Sequence, residues 1–314
     1  MTQPGRFVAH LIEMLWVGLL ALTLALVAAL ALTRWRPVLP PVPPPAVIEG
    51  VERVAAPLSQ PRAPLPVVLV HGLFGFDRMG IRGAKLDYFR GIAKHLETLG
   101  CHAHAVKLPR ALSVPERARE LCDAITALGH DRVDLIAHSM GGLDARYALA
   151  HLGLAARVRS LVTVGTPHRG TPIADLATEG SLGMARKAIA ALGVPLTAID
   201  WLTTTALERF NRETLDVVGV RYACVVAGIR DATTRIPLAI QPVHAYLRRV
   251  AGANDGVVPM ASQYWGETLA VIEADHFAEI GWQLAPRTTF DALGLYAFIV
   301  ARLGDAPHSV QVAV

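Results

Sequence analysis

Short apolar runs alternate with amphipathic stretches from residue 66 onward, and this alternation predicts the fold. Val67-Val68-Leu69-Val70 is a continuous, β-branched-rich run, the pattern of a strand covered on both faces. Val133-Asp134-Leu135-Ile136-Ala137, Leu161-Val162-Thr163-Val164, Tyr222 to Ala227 and Leu269 to Glu273 read the same way, and a weaker strand closes at Val106. Between them lie helical patterns. Ser113, with Pro115 in the first turn and Glu116 three residues on, marks a helix start that runs toward Leu128 and Gly129. A second helix continues through Tyr147 and Leu149, and Phe290 to Leu303, apolar at helical spacing, closes the fold. Strand and helix in alternation predict an α/β architecture with a mostly parallel central sheet and helices on both faces. No internal repeat interrupts it.

The alternation breaks at about 173–213, where a helical pattern is interrupted at Gly180, Gly183 and Gly193-Val194-Pro195. An insertion between sheet elements at the strand ends predicts a helical lid. Its apolar residues, including Met184, Ile189, Ile199, Trp201 and Leu202, suit either core packing or a lipid-facing surface. At the other end, Met14 to Thr33 carries no charge over 20 residues. At about 1.5 Å rise per residue this spans a hydrocarbon core of about 30 Å, which predicts an N-terminal transmembrane helix. The apolar region of a cleaved signal is usually about 7–15 residues, so an uncleaved anchor is favoured. Ala29-Leu30-Ala31 nevertheless offers a small-x-small cleavage site, whose use would release the protein.

From Pro37 to Pro45 the chain is mostly proline, an extended polyproline II spacer. The expected organisation is an anchor at 1–36, a tether at 37–60, an α/β domain at 61–305 with the lid inside it, and a tail at 306–314. Arg6 and the α-amine flank the apolar segment on one side and Arg34 and Arg36 on the other, so charge bias leaves its orientation open. The α/β domain is expected on the extracytoplasmic side.

Composition changes this picture little. Hydrophobic residues make up 53% and charged residues 18%, enough apolar matter for a sizeable core. The net charge of +4 comes from dispersed arginines, which excludes the clustered basic footprint of a nucleic-acid partner. Cys101, Cys122 and Cys224 show no C-x-x-C spacing and no zinc-site pattern. They read as small buried side chains, with one disulfide left open if the domain lies outside the cytosol.

The chemistry centres on Leu135-Ile136-Ala137-His138-Ser139-Met140-Gly141-Gly142. A serine hydroxyl is a poor nucleophile, so acyl transfer needs it exposed beside a base and near donors for a developing oxyanion. Strand, sharp turn and helix, with small Ala137 and Gly141 two residues either side of Ser139, form such an elbow. The competing reading is a helix-capping serine. The N–H of Met140 is the expected first oxyanion donor. The second is expected from Leu73, since Gly72 in His71-Gly72-Leu73-Phe74-Gly75 lets the backbone turn after the first strand. His71 belongs to that turn and reads as structural.

Elbow hydrolases place nucleophile, acid and base in that order along the chain. His151 lies on the elbow helix, His168 follows the next strand too closely, His244 precedes the best acid and His308 lies in the tail. His276 therefore remains as the base, at the end of the run Leu269 to Ile272. For the acid, Asp255 sits in the turn-rich run Gly252-Ala253-Asn254-Asp255-Gly256, from which a carboxylate can fix the imidazole tautomer. Asp231 and Asp275 are its rivals.

These residues resemble the bacterial triacylglycerol lipase family, which includes Pseudomonas, Burkholderia and Bacillus enzymes, within the α/β-hydrolase superfamily. His71-Gly72-Leu73-Phe74-Gly75-Phe76-Asp77 is similar to that family's oxyanion loop, and Ala137 to Tyr147 to its elbow and following helix. Val164-Gly165-Thr166-Pro167-His168-Arg169-Gly170-Thr171 is similar to the stretch before its lid; Leu202-Thr203-Thr204, Phe210-Asn211 and the loop around Asp255 fit as well. Ala137, opening the elbow, is similar to the smaller Bacillus lipases. The resemblance implies a serine esterase acting on acyl esters, extending to long-chain glycerides, with interfacial opening of a lid.

Two positions depart from the pattern. The family commonly holds a structural calcium through an aspartate two residues after the catalytic histidine; here that position is Ala278, with Glu279 next, so neither calcium nor any other cofactor is expected. The anchor and tether shift the expected substrate toward phospholipids and other membrane-proximal esters. Alternative readings are a lipid acyltransferase or thioesterase on the same fold, and a membrane-tethered binding protein without catalysis. The intact set of Ser139, Asp255 and His276 argues against the last.

Overall fold

A computed structural model of the chain describes residues 65–73, 87–109, 112–178, 196–229, 236–285 and 290–304. The expected anchor and tether, Phe74 to Asp77, the centre of the expected lid, Asp231 and His308 lie outside the described residues. Among the described residues no helix is long and apolar enough to cross a membrane.

Six strands form one sheet: β1 (Val67–Val70), β2 (Ala103–Ala105), β3 (Val133–His138), β4 (Val158–Val164), β5 (Arg221–Ala227) and β6 (Glu267–Ile272), in the order β2-β1-β3-β4-β5-β6. Every neighbouring pair is parallel. Parallel strands need crossover connections, and the helices α1 (Ile92–Thr98), α2 (Val114–Ala127), α3 (Gly141–His151), α4 (Pro172–Thr178), α5 (Leu196–Asp200), α6 (Thr204–Glu213), α7 (Gln241–Ala251) and α8 (Met260–Gln263) lie in them, while α9 (Ala292–Arg302) follows β6. The weak strand expected to close at Val106 ends one residue earlier, at Ala105. Glu116 accepts the N–H of Ser113 at 2.9 Å, the reach-back that starts α2 as the sequence indicates.

The period of two along β1 separates two cores. Val67 and Leu69 pack with Ile92 and Leu96 of α1 and Tyr296 and Ile299 of α9. Val68 and Val70 point the other way, into Leu121 and Ile125 of α2 and Ala145, Ala148 and Leu149 of α3. Each such leucine or isoleucine contributes roughly 1.5–3 kcal/mol by leaving water, which is why continuous apolar runs, and not alternating ones, mark these strands.

The chain leaves β1 toward one edge, returns to β3, and then proceeds to the other edge. That reversal opens a crevice at the carboxyl ends of β1 and β3, the usual ligand position in an open α/β sheet. Val70 pairs with Ala137, so the segments following both strands emerge side by side. The described parts of the expected lid are helical: α4, α5 and α6 contribute Ala174, Ala177, Ala198, Leu207 and Phe210 to a third apolar cluster with Leu73, Met140 and Leu143. Ile199 is buried there, with Trp201 and Leu202 packed against it. Cys101, Cys122 and Cys224 are free thiols, and burial pushes all three up from the ordinary thiol range. The disulfide left open by the sequence is not formed.

Candidate active site

Ser139 stands between β3 and α3 with φ at 57°, a left-handed conformation that costs a non-glycine residue on the order of 1–3 kcal/mol. Neighbouring backbone holds it there: its N–H donates to the Val164 carbonyl at 2.9 Å, and Thr166 Oγ1 donates to its carbonyl at 2.8 Å. A side chain at position 141 would not fit, because a Cβ there would stand 2.7 Å from the Val70 carbonyl oxygen and 2.8 Å from that of His71. The glycine two residues after the serine thus lets α3 approach the end of β1.

His276 follows β6, and its Nε2 lies 3.0 Å from Ser139 Oγ, placed to accept the hydroxyl proton. Its Nδ1 lies 2.9 Å from Asp255 Oδ2. Asp255 is fully buried, and its carboxylate is held from several sides. Oδ1 accepts the N–H groups of Val257 and Val258 at 2.8 and 2.7 Å, and Oδ2 also accepts from Gln263 Nε2 at 3.1 Å. The backbone joins the pair too, since the His276 N–H donates to the Asp255 carbonyl at 2.9 Å. Sequence reasoning brought these three residues to one place and missed Gln263, a buried amide on α8 that no motif flags.

Leu73 and Met140 are buried beside Ser139. His71 is part of the turn: its Nε2 accepts the Leu108 N–H at 2.8 Å and its Nδ1 lies 2.8 Å from the Gly72 carbonyl. Asp275, the described rival acid, turns back on its own loop, where Oδ1 accepts from Phe277 and Ala278 at 3.0 and 3.2 Å.

The sequence pattern of a family described as "Domain of unknown function (DUF7379)" matches residues 49–264, more than half of the chain. The chain belongs to this family. This DUF7379 member also matches proteins of known name. It is 28% identical over 287 residues to the triacylglycerol lipase of Vibrio cholerae, covering 77% of this chain and 88% of that one. It is 25% identical over 280 residues to triacylglycerol lipase 2 of Saccharomyces cerevisiae, covering 74% and 85%. Its fold is similar to the crystal structure of the metagenomic carboxyl esterase MGS0156, with TM-score 0.64 and 20% identity over 82% of this chain and 81% of that one. The resemblance to bacterial triacylglycerol lipases read from the motifs is thus matched by bacterial relatives of that name.

Behind the site the DUF7379 chain buries charges that the motif reading passed over. Arg117 on α2 and Asp144 on α3 are fully buried and paired at 2.8 Å. Arg117 also donates to the carbonyls of His71 at 2.8 Å, Gly72 at 3.3 Å and Pro109 at 2.7 Å, which fixes the segment leaving β1. A charged residue on the inward face of each helix was the available signal. Burial, opposed by Arg117, pushes Asp144 up to about 6.

Ala278, where the lipase resemblance would put a calcium-binding aspartate, has no side-chain ligating atom. Among the described residues one group of three metal-type ligands converges, His138, His276 and Glu279. Both ring nitrogens of both histidines are already within hydrogen-bond distance of protein partners, which does not fit a metal site.

Asp275 gives a pH-dependent expectation. Burial, opposed by the Phe277 and Ala278 N–H groups, pushes its carboxyl up to about 7, above the unfolded value of about 3.9. The folded chain therefore binds more protons than the unfolded one between about pH 4 and 7, and stability falls as pH rises through that window. Asp275→Asn keeps the acceptor for both N–H groups and removes the titration. Relative to this variant, the wild-type melting temperature is expected to drop by roughly 5 °C between pH 5 and 8. Parallel pH profiles for the two proteins would contradict the assignment.

Proposed function

We propose that this chain is a carboxylic ester hydrolase that cleaves acylglycerols or other lipid esters through an acyl-enzyme on Ser139. The observation that carries the reading is the line from Ser139 Oγ through both nitrogens of His276 to Asp255, at 3.0 and 2.9 Å. His276 Nε2 takes the serine proton as Oγ attacks the ester carbonyl. Asp255 holds the Nδ1–H tautomer and stabilises the imidazolium that forms. The N–H groups of Leu73 and Met140 receive the oxyanion, and the imidazolium then protonates the departing alcohol. Water, deprotonated by the same imidazole, releases the fatty acid and restores Ser139. Every step uses the chain's own residues.

Relatives named triacylglycerol lipase support the ester substrate. The apolar cluster that joins Leu73 and Met140 to α4, α5 and α6 supports an acyl chain lying beside the oxyanion donors. On this reading the 14–33 segment keeps the domain near a membrane, on the extracytoplasmic side, and supplies esters from that surface.

The test is hydrolysis by the full chain of p-nitrophenyl esters of graded acyl length, with and without phospholipid vesicles. We expect turnover at every length, a maximum at medium or long chains, and a rise when vesicles are added. A chain that turns over none of the esters contradicts the reading. Turnover of short esters alone, indifferent to vesicles, contradicts the lipid part of it.

A further inference from the structure

We propose that Tyr88, linked through His138 to Glu279, is a positioning residue for the oxyanion hole, its hydroxyl fixing the backbone of Gly72 and so of Leu73 against Ser139. The inference rests on the ester-hydrolase reading above and deepens it.

Tyr88 lies just before α1 and reaches under the turn that follows β1. The Gly72 N–H donates to its hydroxyl oxygen at 3.2 Å, and that oxygen lies 2.7 Å from His138 Nδ1. The hydroxyl thus joins the Gly72 backbone to the His138 ring. On the other side of that ring, His138 Nε2 lies 3.0 Å from Glu279 Oε2. Each group orients the next, from the oxyanion turn to a carboxyl behind the triad.

The two groups behind the phenol are buried. His138 and Glu279 are 1% and 0% exposed, so no solvent competes for either. Burial, then the nearby His276, holds His138 well below the ordinary imidazole range. The neutral ring that results has one donor and one acceptor, the arrangement the chain needs. Burial and the charge of Asp255 push Glu279 well above the carboxylate range. Its Oε1 stands 3.8 Å from His276 Nδ1, which brings the far end of the chain to the acid side of the triad.

The near end meets the nucleophile. A Cβ at position 72 would stand 3.1 Å from the Tyr88 hydroxyl and 2.7 Å from Ser139 Cβ, so glycine backbone, phenol and serine are in direct contact. The ring itself is fixed: it packs edge-on to Phe89 with centroids 5.0 Å apart, and Trp282 Nε1 donates to the Tyr88 carbonyl at 2.9 Å. The hydroxyl is thus a fixed stop for the Gly72 N–H. Donors in an oxyanion hole act only within about 0.5 Å of the required place, and losing one costs about 10²- to 10³-fold.

Tyr88→Phe removes the stop and keeps the ring. The experiment measures kcat and KM on a medium-chain p-nitrophenyl ester, affinity for a trifluoromethyl ketone that forms a hemiketal oxyanion on serine, and end-point labelling by a fluorophosphonate. We expect kcat to fall about 10- to 100-fold with KM within about threefold, and ketone affinity to fall by the same factor as kcat. End-point labelling is expected to stay at one per chain, because the nucleophile and base are intact. If Tyr88→Phe fails to fold, His138→Gln, which removes the other partner of the same hydroxyl, is read in the same way.

Unchanged kcat and ketone affinity would overturn the proposal, as would a fall in kcat with ketone affinity unchanged. Failure of the wild-type chain to take up any fluorophosphonate would instead refute the ester-hydrolase reading and this inference with it.

Discussion

Ser139→Ala is expected to lower kcat for p-nitrophenyl ester hydrolysis by about 10⁴- to 10⁶-fold while leaving the folded structure in place. Removal of the nucleophile from a comparable triad costs about 2 × 10⁶ in kcat, and the oxyanion donors alone sustain a residual 10³–10⁴ over water. The backbone at 139 keeps both of its hydrogen bonds, to Val164 and from Thr166, because neither involves the side chain. Alanine meets the same cost as serine at φ 57°, so the melting temperature is expected to stay within a few degrees of wild type. Activity within tenfold of wild type in a folded Ser139→Ala protein would exclude Ser139 as nucleophile.

The largest expected effect on stability lies outside the triad, at Arg117. Its guanidinium, with no solvent exposure, neutralises Asp144 and donates to three backbone carbonyls. Arg117→Met fills a similar volume and removes every one of these donors. Breaking a buried pair from one side costs about 3–5 kcal/mol, because the remaining charge has lost its partner. Asp144 already titrates at about 6 with Arg117 present, and without it the carboxyl rises further.

A raised carboxyl pKa makes the folded state bind the extra proton, so the deficit of Arg117→Met grows as pH rises above about 6 and shrinks below it. Replacing both partners, Arg117→Met with Asp144→Leu, is expected to recover a large part of the loss. Activity is expected to recover less, because the carbonyls of His71 and Gly72 remain without the donor that fixes the oxyanion turn. Urea denaturation at pH 5.5 and 8 measures both effects. Equal stability of the single variant and wild type at pH 8 would contradict the account.

How legible the molecule was in its sequence depended on the range of the interactions involved. β1 was plain because it is buried on both faces and wholly apolar, and β3, β4 and β5 because mostly buried apolar residues outnumber the polar ones among them. β2 was nearly invisible: it has three residues at a sheet edge, Ala-His-Ala, and its boundary fell one residue from the expected Val106. Ser139 could be read from local order alone, since strand, small residue, serine and glycine form one continuous segment. His276 and Asp255 came from chain order, and no local pattern says that their side chains meet.

Contacts made across the sequence stayed hidden. Arg117 touches Asp144 and His71, 27 and 46 residues away, and His138 touches Glu279 at a separation of 141. Read singly, each is an ordinary polar residue on a helix, at a strand end or in a turn. Their common feature, complete burial, is a property of the folded chain.

Active-site titration of the full chain with a fluorophosphonate, followed by mass mapping of the labelled peptide, tests the central claim most directly. The account predicts loss of esterase activity in proportion to labelling, ending at one adduct per chain on Ser139. An adduct on another serine with activity lost in step, or full activity after complete labelling of Ser139, would contradict it.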